Sequence, residues 1–121
     1  MYLIALCDDE VEQLHKTERI FAEYRNNHLG EDFRVESFDS AEKLLALIER
    51  QEYLPDLIIM DIYMPDKLGI EAVRELRRMG NRSQVVFLTT SREFALDAYE
   101  VEAAQYLVKP LSGEKLFLLL D

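Results

Sequence analysis

Five short apolar segments, separated by stretches of helical periodicity, constrain this chain more than any other feature. They are Met1–Leu6, Phe33–Ser37, Leu57–Met60, Val85–Leu88 and Tyr106–Val108. A run such as Leu57-Ile58-Ile59-Met60, apolar at every position, has the look of a strand buried on both faces. Phe33, Val35 and Ser37 alternate instead with Arg34 and Glu36, the period of a strand exposed on one face near a sheet edge. Parallel strands need long crossovers, so strands that alternate with helices predict a parallel sheet covered on both sides.

The intervening residues fit that expectation. Val11, Leu14, Phe21 and Tyr24 fall at helical spacing, and Asn26-Asn27-His28-Leu29-Gly30 breaks the pattern. Ala41, Leu44, Leu45 and Ile48 predict a second helix capped by Asp39 or Ser40, with Asp39 and Glu42 at capping-box spacing. Ile70, Val73, Leu76 and Met79 mark a third, closed by Gly80 and Asn81. Phe94, Ala95, Ala98 and Tyr99 mark a fourth. Ser112 caps a last helix carrying Leu116, Phe117, Leu119 and Leu120, still apolar where the sequence stops at Asp121. The expectation is a single domain over residues 1–121, cut in or near its last helix, with an effector domain beyond it.

A doubly wound α/β sheet of the flavodoxin-like kind, strand order 2-1-3-4-5, is the expected fold. In such sheets ligands bind at the carboxyl ends of the strands, where the strand order reverses. Polar residues sit at those ends: Asp8 and Asp9 after the first strand, Asp61 after the third, Thr89 after the fourth and Lys109 after the fifth. An aspartate after one apolar run is often only a turn residue; the whole set carries the argument.

Three carboxylates at one edge repel. Two unit charges about 4 Å apart cost roughly 4 kcal/mol at an effective dielectric of 20, and a divalent cation relieves this. Oxygen ligands without a His or Cys cluster select a hard metal, hence magnesium, with manganese as a substitute. Asp9 is then a direct ligand, Asp8 acts through water or as a second ligand, and Tyr63 offers its backbone carbonyl. Lys109 and Thr89 suit the oxygens of a phosphoryl group, and Asp61 is the nucleophile that becomes phosphoaspartate. His15 and His28 have no ligand partner in register, and Cys7 reads as an inert core residue.

Composition excludes several alternatives. With 14 Lys+Arg against 24 Asp+Glu the formal charge is −10, which repels nucleic acid and anionic lipid alike. No apolar run approaches the roughly 20 residues needed to cross a bilayer, and one cysteine provides no disulfide, so a cytoplasmic protein without membrane contact is expected.

The ordered set Asp8-Asp9, Ile59-Met60-Asp61-Ile62-Tyr63-Met64-Pro65, Gly69, Thr89 and Lys109-Pro110 resembles the receiver domain of bacterial two-component response regulators. Phe94-Ala95-Leu96-Asp97-Ala98-Tyr99-Glu100-Val101 with Tyr106-Leu107-Val108-Lys109-Pro110 resembles, more narrowly, the LytR/AlgR type, whose receivers precede a LytTR DNA-binding domain. The resemblance implies a histidine kinase as phosphoryl donor and a phosphoacceptor at Asp61. Thr89 and Tyr106 would be the switch pair, and the face of helix four, strand five and helix five would change on phosphorylation, with homodimer formation as one outcome. It also implies a cis Lys109–Pro110 bond and phosphate lifetime tuned by Tyr63 and Ser91. Such a domain promotes its own phosphorylation and dephosphorylation without being a turnover enzyme, and reaches DNA only through its output domain.

The sequence departs from the common pattern at Leu68, where many receivers carry Asp or Asn. A haloacid-dehalogenase-type phosphatase fits less well, because its second aspartate would fall at Tyr63. A nucleotide-binding flavodoxin-like module lacks a glycine loop after the first strand. A receiver serving only as an interaction surface is the remaining rival.

Overall fold

The computed structural model describes residues 1–27 and 32–115. Among these residues five strands, β1 (Tyr2–Cys7), β2 (Phe33–Phe38), β3 (Leu57–Met60), β4 (Gln84–Thr89) and β5 (Gln105–Val108), alternate with four helices that lie between them. These are α1 (Val11–Asn27), α2 (Ala41–Glu49), α3 (Gly69–Arg78) and α4 (Ala95–Glu100). The strands form one parallel sheet in the order β2-β1-β3-β4-β5, as expected.

Side-chain alternation divides the core in two. Ile4, Leu6, Leu57, Ile59, Val86 and Leu88 face α1, where Leu14, Phe21 and Tyr24 cover them. Ala5, Cys7, Ile58, Met60, Val85 and Phe87 point the other way, under Leu44, Ile48, Val73, Leu76 and Ala98 of α2, α3 and α4. Both faces of the central strands are therefore buried, which is why their sequences are apolar without a break.

The helix ends refine the expectations. α1 continues to Asn27, three residues past Tyr24, and Val11 at its start is exposed. Ser40 is the cap of α2, its hydroxyl accepting from the Lys43 N–H at 3.4 Å. Asp39 instead pairs with the Lys43 ammonium at 2.9 Å, so no capping box forms. α3 closes at Gly80, φ 85°, where the Gly80 N–H donates to Arg77 O (3.1 Å) and the Asn81 N–H to Leu76 O (3.0 Å). That is a Schellman close, and it leaves Met79 outside the helix and exposed.

In and beside α4, Ala98 and the flanking Phe94 and Val101 turn to the core, whereas Ala95 is exposed and Tyr99 is 80% exposed. The expected stripe of Phe94, Ala95, Ala98 and Tyr99 therefore holds at Phe94 and Ala98 and fails at Ala95 and Tyr99, which lie on the solvent side of the helix. The last helix expected from Ser112 begins at Gly113–Lys115, the Ser112 hydroxyl accepting from the Lys115 N–H at 3.1 Å. Leu116, Phe117, Leu119, Leu120, His28 and the breaker at Leu29-Gly30 lie outside the described residues. Among the described residues no helix is long and apolar enough to cross a membrane.

Candidate functional site

Strand register assembles the site. Cys7 pairs with Met60 across β1 and β3, so the residues that follow, Asp8 and Asp61, leave the sheet side by side. The Asp61 N–H donates to Cys7 O at 2.9 Å, and the Asp8 N–H to Phe38 O at 3.0 Å. At the other side Thr89 pairs with Val108, and the Lys109 N–H donates to Thr89 O at 2.7 Å. Because β1 has β2 on one side and β3 on the other, the carboxylates stand at the point where the chain's winding reverses.

Asp8, Asp9 and Asp61 each offer a carboxylate oxygen, and these atoms all lie within 4.8 Å of one another. Lys109 is the cation set among them, its Nζ 2.9 Å from Asp8 Oδ2 and 3.6 Å from Asp61 Oδ1. Its side chain is 8% exposed and that of Asp61 5%, so water screens neither. Three acids face one ammonium, an imbalance a divalent cation would correct.

The protonation equilibria express that imbalance. Burial, reinforced by the Asp8 charge, pushes the Asp61 carboxyl up to about 6, against the pull of Lys109 and a hydrogen bond from the Tyr63 N–H. Burial opposes the charge on Lys109, yet its hydrogen bond to Asp8 and the nearby Asp61 hold its pKa above the ordinary lysine value. Cys7, one residue from the cluster, has its thiol pushed up to about 12 by burial first and by the surrounding acids second, which leaves it a poor nucleophile.

Thr89 is fully buried at the end of β4, and among the described residues its hydroxyl has no hydrogen-bond partner. A buried hydroxyl left unpaired is costly and calls for an explanation. Tyr106 stands beside β4, its ring 6.3 Å from that of Phe87, and its hydroxyl donates to Ser91 O at 2.6 Å. Tyr63 lies at the rim, half-exposed, its hydroxyl donating to Glu93 Oε1. Among the residues singled out from the sequence, Asp8, Asp9, Asp61 and Lys109 thus form one cluster. Thr89 adjoins it through the Lys109 backbone, Tyr63 through its N–H to the Asp61 carboxylate, and Ser91 and Tyr106 are joined to each other by the Tyr106 hydroxyl. The Lys109–Pro110 bond is cis, as the resemblance implied.

Three residues contribute in ways the sequence did not suggest. A Cβ on Gly69 would lie 2.3 Å from the Asp61 carbonyl oxygen and 2.9 Å from Met60 Cγ. Glycine is required there by close approach, which lets α3 start directly against the strand that delivers Asp61. Asp66 reaches back to the start of α2, accepting from the Ser40 hydroxyl at 2.8 Å and the Glu42 N–H at 3.1 Å. Glu93 receives the Tyr63 hydroxyl. Only the glycine was visible as a motif position, and its reason was not.

The sequence profile of the response regulator receiver domain matches residues 4–121. This chain belongs to that family. An uncharacterised response regulatory protein of Vibrio cholerae is 35% identical over 116 residues, which are 95% of this chain and 42% of that protein. The sensory transduction protein LytT of Bacillus subtilis is 28% identical over 116 residues, 96% of this chain and 45% of that protein. The narrower resemblance to LytR/AlgR-type regulators is thus met among the relatives. The receiver chain spans less than half the length of either. Among solved structures, the Vibrio cholerae chemotaxis protein CheY4 superposes with a TM-score of 0.81 at 26% identity, covering 99% of this chain and 96% of that one.

Proposed function

We propose that this receiver accepts a phosphoryl group on Asp61 from a histidine kinase, with magnesium, and passes the change to an output domain through α4, β5 and the helix beginning at Gly113. The single observation that carries the reading is the Asp8–Asp9–Asp61 cluster closed by Lys109, beside a Thr89 hydroxyl with no partner among the described residues. The donor set is all oxygen, two of its carboxylates are buried, and its oxygens are near enough to converge on one small ion. Asp9 and Asp61 would hold magnesium with the Tyr63 carbonyl, and Asp8 directly or through water. When bound, the ion supplies charge neutralisation for the phosphoryl oxygens.

An Asp61 carboxylate oxygen attacks phosphorus, the P–N bond to the donor imidazole breaks, and the electron pair leaves on the ring nitrogen. Lys109 already spans Asp8 and Asp61 and can follow a phosphoryl oxygen with little movement. Thr89 gains the hydrogen bond its buried hydroxyl lacks, and Tyr106 follows by releasing Ser91 O. Glycine at 69 keeps the β3 end seated while this happens.

The output in this reading is transcription control in the cytoplasm through a DNA-binding domain outside this chain, with phosphorylation-dependent homodimer formation as a route. Relatives named as sensory transduction proteins, more than twice the length of this chain, support a signalling role with a further part to act on. The test is intact mass after incubation with acetyl phosphate and magnesium. One phosphoryl group should add to the native chain and none to Asp61→Asn; mass gain that survives in that variant sinks the assignment. Chelation of the metal should abolish the gain.

A further inference from the structure

Two loops meet beside Asp61. The loop after β3 carries Tyr63, and the loop after β4 carries Ser91, Glu93 and Phe94. The Tyr63 hydroxyl donates to Glu93 Oε1, and the Tyr63 ring packs edge-on against Phe94, centroids 5.7 Å apart at 67°. The Glu93 N–H donates to the Ser91 hydroxyl at 3.2 Å, and Ser91 O accepts the Tyr106 hydroxyl at 2.6 Å. One series of contacts therefore runs from a residue two places past Asp61, through the loop that Thr89 opens, to the aromatic residue of β5.

Thr89 opens the loop that carries Ser91, Glu93 and Phe94, and its buried hydroxyl, which has no partner among the described residues, gives up no hydrogen bond by turning to a phosphoryl group. The Tyr63–Glu93 bond ties those residues to the opposite rim. We propose that Tyr63 and Glu93 form a latch that holds the loop between β4 and α4 in its unphosphorylated position and opens when Thr89 engages. Both are positioning residues, since their side chains act on the loop and not on the reacting atoms. The inference rests on Asp61 as phosphoacceptor and adds the element that sets how readily the loop responds. A hydrogen bond at a half-exposed rim competes with water, so the latch biases the loop by a modest factor that one phosphoryl group can overcome.

Tyr63→Phe keeps the ring on Phe94 and removes the hydroxyl, Glu93→Ala removes the acceptor, and Glu93→Gln keeps one. Hydrogen exchange of amides 90–98 in the unphosphorylated, metal-free protein should be about three- to tenfold faster in Tyr63→Phe and in Glu93→Ala. The double variant should be no faster than either, and Glu93→Gln should sit near the native rate. Native-like exchange in both single variants, or effects that add in the double variant, would overturn the latch. Beryllofluoride with magnesium, a phosphoryl mimic, should bind the two loosened variants more tightly by the same factor. Faster exchange with unchanged beryllofluoride affinity would overturn the coupling to the site. Beryllofluoride bound equally well by Asp61→Asn would overturn the phosphoacceptor reading itself, while the exchange result stands apart from it.

Discussion

The two ends of α4 are held by different means. At its C-terminal end Arg77, from the last turn of α3, donates through Nε to Val101 O at 2.9 Å and through Nη2 to Glu102 O at 3.2 Å. Nη1 of the same guanidinium reaches Ser83 O at 2.8 Å and Asn81 O at 3.3 Å. One rigid fork thus joins α3, the turn into β4 and the turn out of α4, where Glu102 sits at φ 59°. At the N-terminal end, next to the carboxylates, the attachments are all between side chains: the Tyr63–Glu93 bond and the Tyr63–Phe94 ring contact at the rim, and a half-exposed ion pair from Arg74 of α3 to Asp97, Nη2 to Oδ1 3.3 Å. The end far from the chemistry is held through backbone carbonyls by one guanidinium, and the near end by exposed or half-exposed side-chain contacts that compete with water.

Loss of Arg77 gives the largest effect. Arg77→Ala leaves four carbonyls to find other partners and should lower unfolding free energy by about 2–4 kcal/mol, whereas Tyr63→Phe should cost less than about 1 kcal/mol. Arg77→Lys should recover only part, because an ammonium cannot reproduce the fork. Urea denaturation of the three variants measures this, and equal losses for Arg77→Ala and Tyr63→Phe would erase the distinction between the two ends.

The acid cluster should reveal itself in the pH dependence of the metal-free protein. The folded Asp61 carboxyl stands near pH 6, above its unfolded value of about 3.9, so the folded state binds the extra proton between them. Stability from this group is therefore fully present below about pH 4 and lost as pH rises to about 6, a decline of about 2–3 kcal/mol that then levels off. The raised Lys109 titration lies far above this window, and the lowered ones of Asp39 and Asp66 fall below it. Asp61→Asn should abolish the decline and be the more stable protein at pH 7. A native chain whose stability rises from pH 4 to 6 by more than that variant's would contradict the charge balance drawn for the site.

Glycine offers a finer probe at the two ends of α3, Gly69 beside Asp61 and Gly80 at the far side. At Gly69 a Cβ meets backbone, so Gly69→Ala should cost about 1–3 kcal/mol and slow phosphorylation by displacing the Asp61 carbonyl. At Gly80 a Cβ meets nothing within 4 Å and the cost is conformational, φ +85°, so Gly80→Asn should be milder than Gly80→Ala. Thermal melts that show asparagine equally well tolerated at 69 would remove the steric reason given for that residue.

The sheet was legible because its signals are periodic or terminal. Leu57 to Met60 are apolar throughout since both faces are covered, and Asp61 marks the place where the cover stops. Register then brings Asp8 to Asp61 and Lys109 to Thr89 without further instruction. What escaped the sequence are side chains that bridge elements with no repeat to announce them. Asp66 caps α2 from 24 residues away, Arg77 reaches Val101 across the same separation, and Tyr63 meets Glu93 across 30. In α4 the expected apolar stripe fails at Ala95 and Tyr99. Its six residues bury only Ala98, too few for a period to stand out.

The smallest effect separates the two uses of Tyr63. Its ring stands two residues past Asp61, where it can hinder the water that hydrolyses the acyl phosphate, while its hydroxyl serves the rim contact with Glu93. Tyr63→Ala removes both and should shorten the lifetime of phospho-Asp61 by about two- to fivefold. Tyr63→Phe retains the ring and should keep a lifetime near the native one even as the loop between β4 and α4 loosens. Decay of the phosphorylated mass after removal of the donor gives both numbers. A longer lifetime in Tyr63→Ala than in the native chain would show that the ring does not shield the phosphate, and a Phe variant that decays like the Ala variant would assign the protection to the hydroxyl and its loop.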